Sequence, residues 1–449
     1  MNIYISGING TGMGPLALMA TDAGLTVQGS DRLEGAITPE LLKRNIQVKI
    51  GPQDGKYLEK LLQTQKIDWF VNTSALPADH PELVLAQKNG IKTSKRDELI
   101  AFLLEKLNLK MIAIAGTHGK TTTTSMIIWA CEQLGIPISY LVGTTLPFGS
   151  AGKYQKDAKY FVYEADEYDR NFLHFHPYLS VITSVSYDHP DIYPTEEDYQ
   201  SAFAQFANQS EYVISDAKLP NVPPAKIQSA TPDNSSADTS PNSSAGTSSA
   251  ATTGATIPPT DTTALTLAGS VRRYDAILAM LAVKQMSPDT PTHSIIDVLN
   301  DFPGVGRRFE RITTGVYSDY AHHPEEVKAA VETALEQAER LHLEGVIAVY
   351  QPHQNTRQHS IRQGYKDVFK GVDKLYWLPT YLTREDPNLP VLTPQELIDG
   401  LENPELGVAA EADDRLAEQL RQARKDGFLI LLMTAGPADL WFRSVFEND

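Results

Sequence analysis

Met111-Ile112-Ala113-Ile114-Ala115-Gly116-Thr117-His118-Gly119-Lys120-Thr121-Thr122-Thr123-Thr124-Ser125-Met126 decides the class of fold. A short apolar run reads as a buried strand. A glycine-bounded turn follows, and Met126 to Leu134 carries the apolar period of a helix. Strand, glycine turn, Lys-Thr and helix is the arrangement that cradles a nucleoside triphosphate. Backbone N–H groups at the helix start face the phosphates, the lysine neutralises charge, and a threonine hydroxyl ligates Mg²⁺. The spacing is tighter than the general form G-x-x-x-x-G-K-[ST]. Ile114 stands where that form has glycine, and the chain carries Gly116-x-x-Gly119-Lys120-Thr121. Gly116, Thr117, Gly119, Lys120, Thr121 and Thr122 are the phosphate-binding candidates.

The 449 residues suggest about three domains at ~150 residues each. A formal charge of −17 argues against non-specific binding to nucleic acid or to an anionic membrane. It leaves room for a local anion site built from glycine turns and a few basic side chains. Cys131 is the single cysteine, so no intramolecular disulfide forms; within the predicted helix it reads as a small buried hydrophobe. The N-terminus has no basic n-region, and Asn2 to Ser6 is too short for a signal h-region. No apolar run reaches membrane-spanning length, and the cytoplasm is the expected compartment.

Residues 1–108 open with a strand, Ile3 to Ser6, then the turn Gly7-Ile8-Asn9-Gly10-Thr11-Gly12-Met13-Gly14 and a helix through Ala23. Thr26 to Gly29 is a second strand, ending at Ser30-Asp31. A β-α-β start with a glycine turn and an acid after the second strand is Rossmann-like. The spacing G-x-x-G-x-G differs from the dinucleotide form G-x-G-x-x-G, so it indicates a pyrophosphate site without specifying NAD. Asp68 to Ser74 is a further strand whose small polar end faces the ligand crevice of an open α/β sheet. Residues 95–107 read as a helix.

Residues 109–304 hold the phosphate loop. Lys159 to Tyr163 is a strand ending in the acids of Glu164-Ala165-Asp166-Glu167-Tyr168-Asp169. Beside a phosphate loop, an acid at a neighbouring strand end is the expected second ligand of Mg²⁺. Leu179 to Ser186 is a strand leading to Asp188-His189, and His189 is a candidate metal ligand. After the strand Tyr212 to Asp216 the composition collapses. From Gln228 to Ala264 the chain is Ser, Thr, Ala, Pro, Asp, Asn and Gly, with Ile257 the only large apolar residue. Such a tract buries too little to offset its ordering entropy and is expected to be disordered. A helix follows over Val271 to Lys284.

Residues 305–449 form a third α/β unit. A hinge at Phe302 to Gly304 leads to an arginine-bearing strand with Arg307 and Arg308. Val316 to Tyr320 is a strand, and a helix starts at Pro324, where proline suits the first turn. Gly345 to Tyr350, Leu375 to Leu378 and Leu429 to Met433 are three more strands with polar residues at their ends.

Eight motifs in order carry a resemblance. They are Gly7-x-x-Gly10-x-Gly12-Met13, Ser30-Asp31, Gly116 to Thr122, Glu164-Ala165-Asp166-Glu167, Asp188-His189, Gly306-Arg307-Arg308-Phe309, Asp319-Tyr320-Ala321-His322-His323-Pro324, and Gln351-Pro352-His353-x-x-Thr356-Arg357. Together they resemble the Mur ligases of peptidoglycan synthesis, over nearly the whole chain outside 218–265. The resemblance implies a Rossmann-like UDP-binding domain, a central P-loop ATPase-type domain and a C-terminal Rossmann-like domain that closes over the site. It implies ATP and Mg²⁺, and an amide ligase that activates the carboxylate of UDP-N-acetylmuramate as an acyl phosphate. L-Alanine is the expected amine, with a tripeptide as the alternative. The protein would be a monomer or homodimer.

Carried over by motif, Lys120 contacts the β- and γ-phosphates, Thr121 and Glu164 hold Mg²⁺, and His189 ligates a second ion. His118 lines the reaction centre. Arg308, His323, His353 and Arg357 come from the closing domain, and Asp319 takes the ATP ribose. Gly7, Gly10, Thr11, Gly12, Asp31 and Ser74 hold the UDP part. One element departs from the family. Where a His-Asn-x-x-Asn-Ala stretch reads adenine, this chain has Gly269-Ser270-Val271-Arg272-Arg273-Tyr274-Asp275-Ala276. Arg272 stacking on the base and Asp275 accepting from it are the substitutes considered. That loss motivates a rival reading, a non-catalytic UDP-sugar-binding scaffold; an NAD-dependent dehydrogenase is opposed by the glycine spacing and by the Lys-Thr loop. If the tract from Gln228 to Ala264 is a disordered insertion, its deletion leaves soluble, active protein. Loss of soluble protein on expression of the deletion variant would show that the tract packs.

Overall fold

A computed structural model describes residues 1–73, 76–189, 192–217, 219–223, 227–229, 264–383 and 385–446. Among these, three sheets account for the strands. The first comprises β1 (Asn2–Ser6), β2 (Thr26–Asp31), β3 (Gln47–Ile50), β4 (Trp69–Asn72) and β5 (Lys92–Lys95), all parallel in the order β3-β2-β1-β4-β5. The chain winds outward from β1 through β3, then returns to β4 on the other side. This reversal opens a crevice past the carboxyl ends of β1 and β4, where ligands of such sheets bind. Ser74 lies outside the described residues.

The second sheet comprises β6 (Lys110–Ala115), β7 (Ile138–Leu141), β8 (Gly152–Lys153), β9 (Tyr160–Glu164), β10 (Leu179–Ile182), β11 (Tyr212–Ser215) and β12 (Ile227–Gln228). The order is β12-β11-β10-β6-β9-β7-β8, with only β8 antiparallel to its neighbour. β6 is buried from Met111 to Ala115, as a central parallel strand covered on both faces must be. The third comprises β13 (Glu310–Thr313), β14 (Val316–Asp319), β15 (Gly345–Gln351), β16 (Lys374–Trp377), β17 (Gly407–Ala409) and β18 (Phe428–Thr434), in the order β13-β14-β18-β15-β16-β17.

The chain forms two compact units. One holds Met1–Gly143, Ala151–Thr266 and Asp275–Asp301; the other holds Thr144–Ser150, Leu267–Tyr274 and Phe302–Asp449. Within the first, one continuous core joins the two sheets, from Ile3, Ile5 and Leu16 to Met111, Phe161 and Phe203. The helix Met13–Asp22 packs on β8 there, and Gly152 leaves no room for a side chain against the Pro15 carbonyl. The second unit packs its sheet between two apolar clusters, one around Tyr350 and Trp377 and one around Ile430 and Phe442.

Four expectations are corrected. The helix after the phosphate loop starts at Lys120 rather than Met126. Four threonines in a row are poor helix formers, but Thr123 and Thr124 are buried and the Thr123 hydroxyl donates to Asp275 Oδ1 at 3.2 Å. Packing overrides propensity. The strand from Leu179 stops at Ile182: Thr183 N still donates to Ala115 O at the end of β6, but the Thr183 hydroxyl, Ser184 and Ser186 bond to the phosphate loop. Arg307 and Arg308 precede β13 in a turn where Arg307 and Phe309 have positive φ. Gln228 pairs with Ile214 at the edge of the second sheet, and 230–263 of the expected disordered tract lies outside the described residues. No helix among the described residues is long and apolar enough to cross a membrane.

One buried carboxylate ties the first sheet together. Glu82 accepts hydrogen bonds from Tyr4 Oη at 2.6 Å, Ser6 Oγ at 2.7 Å and Ser30 Oγ at 2.8 Å. Glu82→Ala leaves buried hydroxyls without acceptors, at about 1–3 kcal/mol each. The variant should melt at least ~5 °C lower by calorimetry, and Glu82→Gln, which keeps one acceptor oxygen, should fall by less. An unchanged Tm in Glu82→Ala would contradict this role.

Candidate active site

The phosphate loop is shaped by its two glycines and by the segment after β10. Gly116 has φ +140° and Gly119 has φ +83°, conformations that favour glycine. A Cβ at Gly116 would meet Thr183 Oγ1 and come within 2.9 Å of Ser184 N; at Gly119 it would lie 2.6 Å from Asp275 Oδ1. Thr117 N donates to Ser184 O at 3.0 Å, and His118 N to Ser184 Oγ at 2.9 Å. Thr117 Oγ1 donates to Ser186 O at 2.8 Å and lies 2.8 Å from the Tyr199 hydroxyl. Tyr199 stands on the helix Glu196–Gln209, which Thr195 caps by accepting from Asp198 N.

Lys120 turns back over this loop. Its Nζ donates to Gly116 O, to Thr117 O at 3.2 Å and to Glu167 Oε1 at 2.9 Å. Burial disfavours its charge, but the adjacent Glu167, with Glu164 and Asp166, outweighs burial and raises its pKa. Burial likewise pushes the Glu167 carboxyl up, against the pull of Lys120. Thr121 Oγ1 donates to Glu164 Oε1 at 2.7 Å, so the first pair of expected metal ligands is in contact.

His189 is brought to Glu167 rather than to Glu164. Its Nε2 lies 3.9 Å from Glu167 Oε1 and 3.7 Å from Asp188 Oδ2. His189, Asp169 and Arg170 all take positive φ, backbone strain gathered on the segments that flank the site. Tyr193 Oη donates to the Glu167 carbonyl at 2.6 Å, and its ring meets Tyr199 edge-on at 4.9 Å. Glu167 was one acid among several in the sequence, with Glu164 preferred. Its selection comes from the fold: it is 2% exposed, and its Oε2 has no hydrogen-bond partner among the described residues. An oxygen buried without a partner is the observation that fits an absent cation. Two pairs result, Thr121 with Glu164 and Glu167 with His189, whose oxygen and imidazole donors suit Mg²⁺ sharing its shell with phosphate oxygens.

The glycine turn after β1 is held by Asp31. Its Oδ2 accepts from Asn9 N at 2.9 Å, while Gly7 N and Ile8 N bond to Ser30 O at 2.9 and 3.1 Å. Thr11 and Gly12 line a cleft of about 230 Å³ that also reaches Lys120 and Glu164. The crevice of the first sheet and the phosphate loop therefore share one space.

In the second unit, Asp319 accepts from Phe309 N at 2.7 Å and Ala321 N at 2.8 Å, and burial raises its pKa. It organises the turn that carries Arg307 and Arg308, whose guanidiniums lie 4.7 and 4.9 Å from the Tyr320 ring centre. His323 caps the helix Pro324–Arg340, its N–H donating to Glu326 Oε2 at 3.3 Å. His353 lies 5.8 Å from His322, ring to ring, and Arg357 has no hydrogen bond or ion pair with any described residue. Arg272 lies over Phe309 at 5.8 Å, and Asp275 is buried against Thr123.

Largely parallel sheets whose strand ends gather a lysine loop, carboxylates and histidine define a nucleotide-dependent α/β enzyme class. The chain belongs to the Mur ligase family. Residues 2–107 match the Mur ligase family catalytic domain, 114–249 the Mur ligase middle domain, and 307–436 the Mur ligase glutamate ligase domain. It is 32% identical over 397 residues to a UDP-N-acetylmuramate–L-alanine ligase of Thermosynechococcus vestitus, covering 86% of this chain and 82% of that one. It is 30% identical to the enzyme of the same name from Mycolicibacterium gilvum, over 97% and 93%. Among solved structures, the UDP-N-acetylmuramate–alanine ligase of Thermotoga maritima superposes with a TM-score of 0.71 at 22% identity, over 100% and 98% of the two chains. A murein peptide ligase of Psychrobacter arcticus follows at 0.59 and 22%, over 100% and 97%.

Asp319→Asn sets an amide N–H against a backbone N–H and should cost about 1–3 kcal/mol. At roughly 2–4 °C per kcal/mol this lowers the Tm of the second unit measurably. Calorimetry that finds no shift would show that the carboxylate does not hold the turn.

Proposed function

We propose that the protein is an ATP-dependent, ADP-forming ligase that joins L-alanine to the lactyl carboxylate of UDP-N-acetylmuramate in the cytoplasm. The observation that carries this reading is the Lys120–Glu167–His189 cluster beside Thr121–Glu164, with Lys120 and Glu164 lining one cleft together with Thr11 and Gly12 of the glycine turn. The domain bounds 1–108, 109–304 and 305–449 go with it, for acceptor, ATP and amine.

The chemistry follows from charge. A carboxylate is a poor electrophile, so one of its oxygens attacks the γ-phosphorus and the bond to ADP breaks. The amine nitrogen then attacks the acyl carbon, and the tetrahedral intermediate expels phosphate. Two anions must approach, which requires concentrated positive charge in a dry site. Lys120 would release Glu167 and contact the β- and γ-phosphates, with the loop N–H groups holding the remaining oxygens. Thr121 and Glu164 would hold one Mg²⁺ and His189, with Glu167, a second; these ions would neutralise the charge that develops in transfer. Asp31 keeps the turn of Gly7, Gly10, Thr11 and Gly12 open to the UDP diphosphate. His118 stands in the loop itself; Arg308 goes with Asp319 on the ATP side, and His323, His353 and Arg357 go with the amine.

Phosphate release with ATP, Mg²⁺ and UDP-N-acetylmuramate should require L-alanine. Turnover with a tripeptide instead would reassign the amine, and release with neither amine would sink the reading. Lys120→Ala should lower turnover at least ~100-fold, since it removes a charge-assisted contact to the transferring group. Unchanged function in that variant would favour the scaffold reading.

A further inference from the structure

The cleft between the glycine turn and the phosphate loop contains a second cation. Arg96 opens the helix Arg96–Leu107 and lines the cleft together with Thr11, Gly12, Lys120, Gly143 and Glu164. Its neighbours are engaged: Lys95 lies 3.6 Å from Asp169, and Asp97 lies 3.5 Å from His174. The cleft acids are engaged too. Glu164 accepts from Thr121 and from Gly143 N, and Asp166 Oδ1 accepts from Tyr168 N at 3.0 Å. Arg96 itself makes no hydrogen bond or ion pair with any described residue.

What holds the guanidinium is packing against Gly12. A Cβ there would collide with Arg96 Nη1 and lie 3.2 Å from Cζ. The missing side chain of Gly12 is thus the seat of the arginine. A half-buried guanidinium presents five donors in a planar fork that matches an oxyanion, and leaving it without an anion in a cleft has no structural return. Lys120 differs, because its charge is already met by Glu167.

We propose that Arg96 is an acceptor-binding residue that grips an oxyanion of the nucleotide sugar as it spans from the Gly12 turn to the phosphate loop. The proposal rests on the ligase reading for the identity of the acceptor. The shared chemistry is a bidentate oxyanion, either the diphosphate or the lactyl carboxylate.

The test compares wild type, Arg96→Gln, Arg96→Lys and Gly12→Ala. Calorimetry measures the binding of UDP-N-acetylmuramate and of UDP-N-acetylglucosamine, which has the diphosphate and lacks the carboxylate. Steady-state kinetics measure KM for ATP and acceptor. Loss of a charge-assisted bidentate contact should weaken UDP-N-acetylmuramate on the order of ten- to a hundred-fold in Arg96→Gln. Arg96→Lys should lose less, and KM for ATP should stay within about two-fold of wild type. Gly12→Ala, by unseating the guanidinium, should follow Arg96→Gln. A parallel loss for UDP-N-acetylglucosamine assigns the diphosphate; loss confined to UDP-N-acetylmuramate assigns the carboxylate. Unchanged binding in Arg96→Gln, equal losses for ATP and acceptor in both arginine variants, or a wild type that binds neither sugar nucleotide would each overturn the proposal. Binding needs no turnover, so a failure of the ligase reading in the phosphate-release assay leaves this test intact.

Discussion

The pairing of Lys120 with Glu167 is the constraint around which the first unit is arranged. An ammonium and a carboxylate taken largely out of water must find each other, because either one alone would carry a heavy desolvation cost. Both are held from behind. The lysine is anchored by two carbonyls of its own loop, and the glutamate by Tyr193 on its backbone. Tyr193 meets Tyr199, and Tyr199 returns to Thr117 in the loop. The ring of contacts closes on itself, so the loop is shaped before any anion arrives. Preorganisation of this kind is where electrostatic stabilisation has most effect, since little has to move when charge develops.

The topology makes that ring possible. β6 lies between β9 and β10, and the three carry the loop, the acids and the segment with His189 out of one edge of the sheet. The first sheet shares a core with the second, which brings the Gly12 turn to the same cleft. Glycine has distinct tasks here. At 116 and 119 it allows backbone angles and close approach within the loop, while at 12 it makes space for another residue's guanidinium.

Much of this was legible from residue patterns. Apolar runs and strand-end polarity located most of the strands in all three sheets, because a parallel strand buried on both faces leaves a plain signature. The glycine turns were visible for the same reason that they exist, being places where only a residue without a Cβ fits. What misled was local propensity. The run of threonines hid the first turn of the helix after the loop, and the apolar pattern carried β10 past Ile182 into residues that bond to the loop. Strand β12 is two residues long and offers no period to read.

The order of motifs along the chain by itself determined the fold class, the phosphate loop and the set of residue types that the chemistry needs. Spacing along the chain carries the relation of a lysine to its own turn. The choice of Glu167 as the partner of Lys120 and His189, the contacts of Arg272 with Phe309 and of Asp275 with Thr123, and the seating of Arg96 on Gly12 were decided by tertiary structure. Each depends on burial and on distances between residues far apart in sequence. Equal acids in one loop become unequal only when the fold removes water from one of them.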